Sequence, residues 1–178
     1  MHQEMARIRL LVLLPLVAAA VLAAPASADR SSATQQKALD RQLLVQVNAL
    51  RARHGLRPLR LSRGLSAASA RHSLQMAGRG FFSHSSADGT AFWKRIQRLY
   101  PSKGFRRWTV GENLVWQSPE LKAGDALRMW MASPSHRANL LSRTWREIGI
   151  SVVGTPVAPG VYRGQTVMIA TVDFGARR

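Results

Sequence analysis

Two histidines and one glutamate are the residues of this sequence best suited to metal binding or proton transfer. His84 follows Phe81 and Phe82 in a serine-containing segment, Glu112 lies in the motif GENL, and His136 lies in SPSHRANLL. Imidazole and carboxylate groups serve as zinc ligands and as general acids and bases. The three residues are 28 and 24 positions apart, which matches no metal motif such as HExxH. They are therefore candidates for a joint site that only the fold can assemble.

The remaining candidates for chemistry have simpler structural explanations. His72 is predicted on the apolar face of a helix, where a histidine usually packs in the core and makes one hydrogen bond. Ser133 and Ser135 beside His136 raise the hypothesis of a Ser-His hydrolase, but the sequence shows no third orienting residue and no GxSxG motif. The absence of cysteine excludes disulfides, thiolate nucleophiles, iron–sulfur clusters and cysteine-based zinc sites.

The composition is strongly basic, with 26 Lys and Arg against 9 Asp and Glu and a formal net charge of +17. Such a charge favours anionic partners. Two interpretations stand side by side: a functional anion-binding face, or an ordinary solvated surface in which arginine replaces lysine. Nucleic acid is the less favoured partner, because no recognition helix and no interleaved aromatic platform is evident. The length and the 46% hydrophobic content indicate one globular domain.

The first 28 residues have the pattern of a secretory signal peptide. Arg7 and Arg9 precede an apolar run over 10–24, and small residues lead to a predicted cleavage site after Ala28. The alternative is a membrane anchor, but the run has 15 residues and contains Pro15, whereas a bilayer-spanning helix needs about 20. Cleavage removes two basic and one acidic residue and leaves 150 residues with a charge of +16. We therefore expect a secreted protein without a transmembrane anchor, located outside the cell, in the periplasm or at the envelope.

Hydrophobic periodicity predicts helices in the first part of the mature chain and strands at its end. Residues 29–38 are predicted to be a polar leader that is loose over 29–34. Two β-rich runs near the C-terminus are separated by a loop with proline and glycine, which predicts neighbouring antiparallel strands. Helices that precede strands, without βαβ alternation, indicate an α+β fold. The predicted elements are helices over 35–54, 66–78, 91–100 and 121–131, a turn over 110–116, and strands over 148–153 and 167–174.

The same periodicity predicts the hydrophobic core. Apolar residues at spacings of three and four share one face of each helix, and alternate residues share one face of each strand. Met129 is placed on the buried face of its helix, and Trp116, close to Glu112, is a candidate for stacking at a cleft. The predicted core residues are Leu43, Val47, Leu50, Leu65, Leu74, Trp130, Leu140, Ile148, Ile150, Val172 and Phe174.

An ordered series of motifs gives the chain a specific resemblance. The motifs are, in chain order, VNALRARHGLRPL, ASARHSLQMAGRGFFSH, GENL, WMASPSHRANLL, WREIGI and VDFG. In this order and spacing the chain resembles the CAP superfamily, named for cysteine-rich secretory proteins, antigen 5 and pathogenesis-related proteins, and within it the cysteine-free bacterial SCP-domain type. The resemblance implies an α-β-α sandwich with a small antiparallel sheet between helical layers, and a CAP domain over 39–178.

The resemblance also implies a cleft lined by two histidines and two glutamates, which in some members binds zinc or another divalent cation. His84, His136 and Glu112 match three of these four positions. The fourth falls on Ser133, which removes one carboxylate, and Glu147 is the candidate to replace it from the following segment. Three ligands would leave one coordination position open for water. Without a metal, the histidines would instead hydrogen-bond Glu112, and a His-Glu pair could act as acid and base.

A CAP scaffold does not fix a function, because its members are linked to different activities. The favoured prediction is a secreted module that binds a ligand in its cleft, at the cell envelope or outside the cell. Its expected partners are an anionic envelope polymer, a lipid or a small apolar ligand. The alternative is a metal-assisted hydrolase acting on peptide or cell-wall material through His84, Glu112 and His136. Whether the protein is an enzyme stays open at this point.

Overall fold

The computed structural model describes the backbone of residues 25–178 and the side chains of residues 32–178. Residues 1–24 of the predicted signal peptide lie outside the described residues. The described range contains five α-helices and a four-stranded sheet, which confirms the α+β class. The helices are α1 (Pro25–Arg53), α2 (Arg63–Arg79), α3 (Phe92–Gln97), α4 (Ala123–Ala132) and α5 (Pro134–Leu141), and the strands are β1 (Arg60–Leu61), β2 (Trp108–Gln117), β3 (Glu147–Thr155) and β4 (Val167–Arg177).

The sheet has the strand order β1-β3-β4-β2, so β1 and β2 lie at its edges. Strands β3 and β4 pair antiparallel, as predicted, with Ile150 opposite Val172. Strand β2 pairs antiparallel with β4, which places Glu112 directly opposite Asp173. The two-residue strand β1 runs parallel to β3, so the sheet is antiparallel except at this edge.

The two faces of the sheet pack against different helices, because successive side chains of a strand point to opposite faces. Ile148, Val172 and Phe174 belong to the larger core cluster, which includes residues of α1, α4 and α5. On the other face, Met76 of α2 packs with Ile169, and a separate cluster includes Leu65 of α2 and residues of α3. The predicted α-β-α sandwich is therefore confirmed.

Helix α1 begins at Pro25, ten residues before the predicted start. The segment predicted to be a loose leader is part of this helix, so that prediction is wrong for its backbone. The physical reason is that Pro25 suits a first helical position and that no proline or glycine follows before Arg53. Among residues 25–178, no helix combines the length and the apolar character that crossing a membrane requires.

Residues 110–116 form the middle of strand β2, and the predicted turn is wrong. Gly111, the glycine of the GENL motif, allows a close contact with this strand. A Cβ atom on Gly111 would lie 2.8 Å from the ring of Trp145, so only glycine allows this side chain to pack against the strand. Glu112 is thus held by a regular strand, which fixes its direction more firmly than a turn would.

Three helix boundaries also differ from the predictions. After α4, Pro134 occupies the first turn of a further helix, α5, for which the periodicity predicts no element. Helix α2 begins three residues before its predicted start and is capped by Ser62, whose Oγ accepts the Leu65 N–H. It ends at Arg79, and the following Gly80 caps it with a φ of 68°. Helix α3 is shorter than predicted and ends at Gln97.

Ten of the eleven predicted core residues are buried, and Leu74 is the exception. Leu74 is 59% exposed, because α2 buries the face that carries Leu65, Ala68, His72 and Met76, and Leu74 lies on the opposite side. Met129, predicted on a buried face, is 46% exposed. Its side chain borders a groove.

The approach of α2 to the sheet depends on Gly149. A Cβ atom there would lie 2.1 Å from the carbonyl carbon of Leu65 and 2.2 Å from the nitrogen of Ser66. We expect Gly149→Ala to lower the free energy of unfolding by about 3 kcal/mol, because backbone atoms cannot give way as a side chain can. Urea unfolding followed by circular dichroism measures this change.

The control is Gly78→Ala in α2, where a Cβ atom would meet nothing within 4 Å. Alanine is the better helix former, so this variant should gain about 0.5 to 1 kcal/mol. Equal effects of the two substitutions would contradict the close approach at Gly149.

Candidate functional site

Three elements bring the candidate residues to the outer edge of β2. Glu112 lies on β2 itself, His84 lies in the segment between α2 and α3, and His136 lies in the first turn of α5. The side-chain amide of Asn113 donates to the carbonyl of His136 at 3.0 Å. Asn139 donates to the carbonyl of Glu112 at 3.1 Å and to Asn113 Oδ1 at 2.9 Å. These amide bonds attach α5 to the strand edge and place His136 beside it.

Glu112 is the centre of the polar contacts. Its side chain is 1% exposed, and its two carboxylate oxygens have different partners. Oε2 accepts from Arg95 Nη2 in a buried ion pair. Oε1 lies 2.8 Å from His84 Nδ1, and the hydrogen bond makes Nδ1–H the donor. The charge of Glu112 is therefore compensated by Arg95, and its second oxygen orients His84.

Arg95 is a site residue that sequence reasoning missed, because it was grouped with the basic surface. It is 6% exposed. Besides its bond to Glu112, its Nη1 donates to the carbonyl of His84 at 3.1 Å and to Ser86 Oγ at 3.4 Å. The signal that would have found it is its spacing in the helical pattern, three residues after Phe92 and four before Leu99, which both pack against the core. One arginine thus fixes both the carboxylate and the backbone of the histidine.

His84 and His136 face each other across the cleft. Their ring centroids are 6.3 Å apart, and the His84 ring also lies 6.3 Å from that of Phe92. The His84 side chain is 51% exposed, so the nitrogen that is not bonded to Glu112 is open to solvent or a ligand. Partial burial, and next the proximity of His84, lower the pKa of His136. The neutral form of His136 is therefore favoured beside His84.

His72 has the structural role that the sequence predicted. It is fully buried, and its Nε2–H donates to the carbonyl of Ser83 at 2.8 Å. Burial is the largest cause that lowers the pKa of His72, although Glu112 acts in the opposite direction. The ring does not reach the cleft. It holds the residue immediately before His84 and so contributes to the position of that histidine.

The remaining candidate residues near the site are Ser133, Glu147 and Trp116, and each lies in a different environment. Ser133 borders the same groove as His136, and its Oγ lies 3.4 Å from Ser135 Oγ. Glu147 accepts from Tyr100 Oη at 2.5 Å and lies 3.7 Å from Arg177, so its carboxylate is bound by these two residues. Trp116 packs edge-on against Tyr162, with ring centroids 5.1 Å apart, and also borders the groove.

The arrangement does not fit a metal ion with three protein ligands. Among the side chains of residues 32–178, no group of three His, Asp or Glu is placed to hold one. The chemical reason is that Arg95 and His84 already take both oxygens of Glu112. Ser133 supplies no carboxylate in their place. The predicted divalent cation, such as zinc, therefore has only the two histidines to bind it, and the chemistry below does not depend on it.

An apolar groove begins at His136 and follows β2. It has a volume of about 290 Å³. Phe82 and Met129 border it and are 38% and 46% exposed. The groove is lined by Phe82, Leu114, Val115, Trp116, Met129, Trp130, Ser133 and His136.

A second buried carboxyl group, Asp173, was also missed by the sequence analysis. It is fully buried, lies opposite Glu112 on β4, and accepts from Ser69 Oγ at 2.9 Å. Residues facing each other in adjacent strands have their side chains about 5 Å apart. Burial raises the pKa of Asp173 well above its usual range, and the charge of Glu112 raises it further, against the opposing effect of Arg95. The protonated form of Asp173 is thus favoured beside the carboxylate that pairs with Arg95.

This assignment predicts how stability depends on pH. A carboxyl group whose pKa is raised in the folded state keeps its proton above about pH 4, whereas the same group in the unfolded chain releases it. The free energy of unfolding therefore decreases as the pH rises above about 4. Asp173→Asn mimics the protonated acid and should reduce that loss. Its melting temperature should therefore exceed that of the unsubstituted protein by more at pH 7 than at pH 4, as measured by calorimetry.

Asp173→Ala serves as the control. It also removes the titrating group, so its pH dependence should match that of the Asn variant. We expect its free energy of unfolding to be about 1 to 3 kcal/mol below that of the Asn variant at each pH, because the buried hydrogen bond with Ser69 Oγ is lost and only the bond from Ser69 to the Leu65 carbonyl remains. If the Asn variant kept the same pH dependence as the unsubstituted protein, an ionised Asp173 would be indicated instead.

Comparison with known proteins agrees with this fold. The model of CAP, the Cysteine-rich secretory protein family, matches residues 44–163. The protein YkwD of Bacillus subtilis is 29% identical over 138 residues, which are 73% of this chain and 50% of that relative. The chain thus spans about half the length of this curated relative.

Solved structures give the same result. An extracellular protein with an SCP domain from Bacillus anthracis is 26% identical, with a TM-score of 0.64, covering 82% of this chain and 42% of that one. An outer surface protein from Borrelia burgdorferi is 21% identical, with a TM-score of 0.65, covering 78% of this chain and 92% of that one, and shows likeness of fold. The family match covers more than half of the sequence, which lacks cysteine. The chain therefore belongs to the Cysteine-rich secretory protein family, CAP, and is of its bacterial, cysteine-free type.

Proposed function

We propose that this protein is a secreted ligand-binding module whose cleft holds a small ligand with an apolar body and a polar end. The observation that carries the proposal is the continuity of the apolar groove with His136. Small-molecule sites are typically apolar concavities with a few converging polar groups. Here the groove supplies the apolar part, and His84 and His136 supply the polar part.

The dimensions of the groove indicate the size of the ligand. Its volume of about 290 Å³ lies at the lower end for small-molecule sites. An acyl chain or the apolar side chain of a peptide suits this volume better than a large rigid ring system. Met129 and Phe82 border the opening, and the flexible thioether of methionine adapts to ligands of different shape.

The polar end of the ligand would meet two imidazoles. Glu112 fixes His84 through Nδ1 and leaves the other nitrogen available. Arg95 balances Glu112, so the pair adds little net charge to the cleft. A hydroxyl, a carboxyl or an amide group can bond to such a histidine, because a neutral imidazole donates at one nitrogen and accepts at the other.

Two observations support export. Residues 1–28 have the pattern of a signal peptide. The Bacillus anthracis protein with a similar domain is described as extracellular. A module exported to the envelope or beyond meets lipids and cell-wall peptides, which carry apolar groups of the proposed kind.

Substitution at the rim of the groove tests the proposal. Met129→Lys places a charge beside the apolar surface, and we expect the affinity for the uncharged alcohol 1-dodecanol to fall about tenfold, which corresponds to about 1.4 kcal/mol. Isothermal titration calorimetry measures the dissociation constant. Leu74→Lys is the matched control, because Leu74 is also an exposed apolar residue on a helix but does not border the groove. Equal losses in both variants, or no binding by the unsubstituted protein, would refute this ligand class.

The alternative, a hydrolase, is supported by one observation, the His84-Glu112 pair, because a carboxylate at Nδ1 is how a general base is oriented. The metal-assisted form of this hypothesis requires zinc at the cleft. Since Glu112 has no free oxygen, we expect zinc to change the melting temperature of the unsubstituted protein and of the His84→Ala, His136→Ala double variant equally. Differential scanning fluorimetry measures both. A zinc-induced increase confined to the unsubstituted protein would favour the metal-assisted hydrolase.

A further inference from the structure

A second surface, remote from the groove, surrounds the segment between α5 and β3. Two cavities open there, each of about 290 Å³. Arg143 lines both of them. One cavity is also lined by Arg51, Arg57 and Arg146. The lining of the other cavity includes Arg107 and Thr144. We call these two cavities together the arginine surface.

The positive charges of the arginine surface are not balanced by neighbouring acidic side chains. No acidic side chain lines either cavity within the described part of the chain. The ion pairs found among residues 32–178 engage Asp40, Glu112, Asp125 and Glu147, and their partners are other basic residues. Positive charges held close together without counter-ions create a strong local potential that attracts anions.

The buried side chain of Arg51 holds one of these positive charges in a fixed position. It is 1% exposed, and it donates from Nε to the carbonyl of Arg57 at 3.0 Å and from Nη1 to the carbonyls of Leu140 at 2.7 Å and Ser142 at 3.0 Å. These acceptors satisfy its hydrogen bonds but carry no net charge. Burial lowers the pKa of Arg51, and the nearby charge of Arg146 acts in the same direction. An arginine remains protonated even so, because its ordinary pKa is far above neutrality.

The same bonds hold the surface in one shape. Arg51 ties the Arg57 backbone to the end of α5, and Arg146 Nη1 donates to the carbonyls of Arg143 and Trp145 at 2.8 Å each. The backbone between α5 and β3 is thereby fixed before any ligand arrives. Binding to such a surface orders fewer groups and so costs less conformational entropy.

We infer that the arginine surface binds an anionic polymer of the cell envelope that carries phosphate groups at short intervals, with Arg143 between two successive phosphates. The planar fork of arginine matches the oxygens of a phosphate group. Two cavities that share one arginine fit neighbouring charges of one polymer better than a single small anion. Predicted export favours an envelope polymer over nucleic acid. This inference goes beyond the cleft and does not depend on the ligand proposed for it.

The inference is tested by removing the charges of Arg143, which lines both cavities, and of Arg57, which lines one of them. We expect Arg57→Gln, Arg143→Gln to weaken binding of fluorescent poly(glycerol phosphate) at least tenfold in an anisotropy titration, and to lessen its dependence on salt. Both side chains are exposed, so the fold should tolerate the change. The matched control is Arg71→Gln, Arg98→Gln, which removes two exposed arginines that line neither cavity and should change binding less than twofold.

A further variant keeps the test independent of any loss of stability. Arg143→Lys retains the charge but loses the fork, and it should weaken binding by less than the double substitution. Equal weakening in the double variant and its control would overturn the inference in favour of diffuse charge. Absence of binding to the polymer would also overturn it. Tighter binding of a single-stranded oligonucleotide of equal charge, with the same dependence on Arg143, would replace the envelope polymer by nucleic acid.

Discussion

The buried ion pair between Arg95 and Glu112 is the interaction on which the cleft depends. A carboxylate that is 1% exposed costs several kcal/mol to remove from water, and only a close and well-bonded cation offsets that cost. Arg95 meets this need from α3 and at the same time holds the backbone of His84. Because Glu112 lies on the edge strand, the pair joins the strand, the helix and the histidine loop into one unit. Loss of either partner would leave a buried charge alone, so the geometry of His84 cannot be separated from the stability of this layer.

The same constraint explains why the interface between α2 and the sheet is partly polar. Between the apolar cluster around Met76 and the one around Leu65, Ser69 bonds to Asp173, and the hydroxyls of Ser73 and Thr171 lie 2.8 Å apart. These bonds stabilise less than apolar contacts would, but they specify the register of β4. A shift by one residue would move Asp173 to the face that carries the larger core cluster, where no such partner exists among its members. With Asp173 in its protonated form, Arg95 has to balance the charge of Glu112 alone.

The sequence predicted those features that depend on local patterns, and it missed those that depend on long-range contacts. Helical periodicity and strand alternation identified most of the core, since both report burial directly. The turn predicted over 110–116 is a strand, in which Gly111 allows contact with Trp145. Helix α5, which starts at Pro134, follows so soon after α4 that the periodicity did not predict it. Motif resemblance identified His84, Glu112 and His136, but not Arg95 or Asp173. Those two gain their roles only when α3 and β4 approach β2, and no spacing in the sequence reports that approach.

The cleft beside His136 and the arginine surface around Arg143 differ in how their charges are balanced, and they therefore favour different ligands. In the cleft, one arginine is neutralised by one carboxylate and the neighbouring acid is protonated, so the groove beside His136 favours ligands for their apolar surface and hydrogen bonds. Around Arg143, arginines have carbonyl partners or none of opposite charge, so that surface favours anions. The large positive charge of the chain therefore does not describe its cleft. An apolar ligand bound in the groove would change little in the field around Arg143, so the two surfaces can act at the same time.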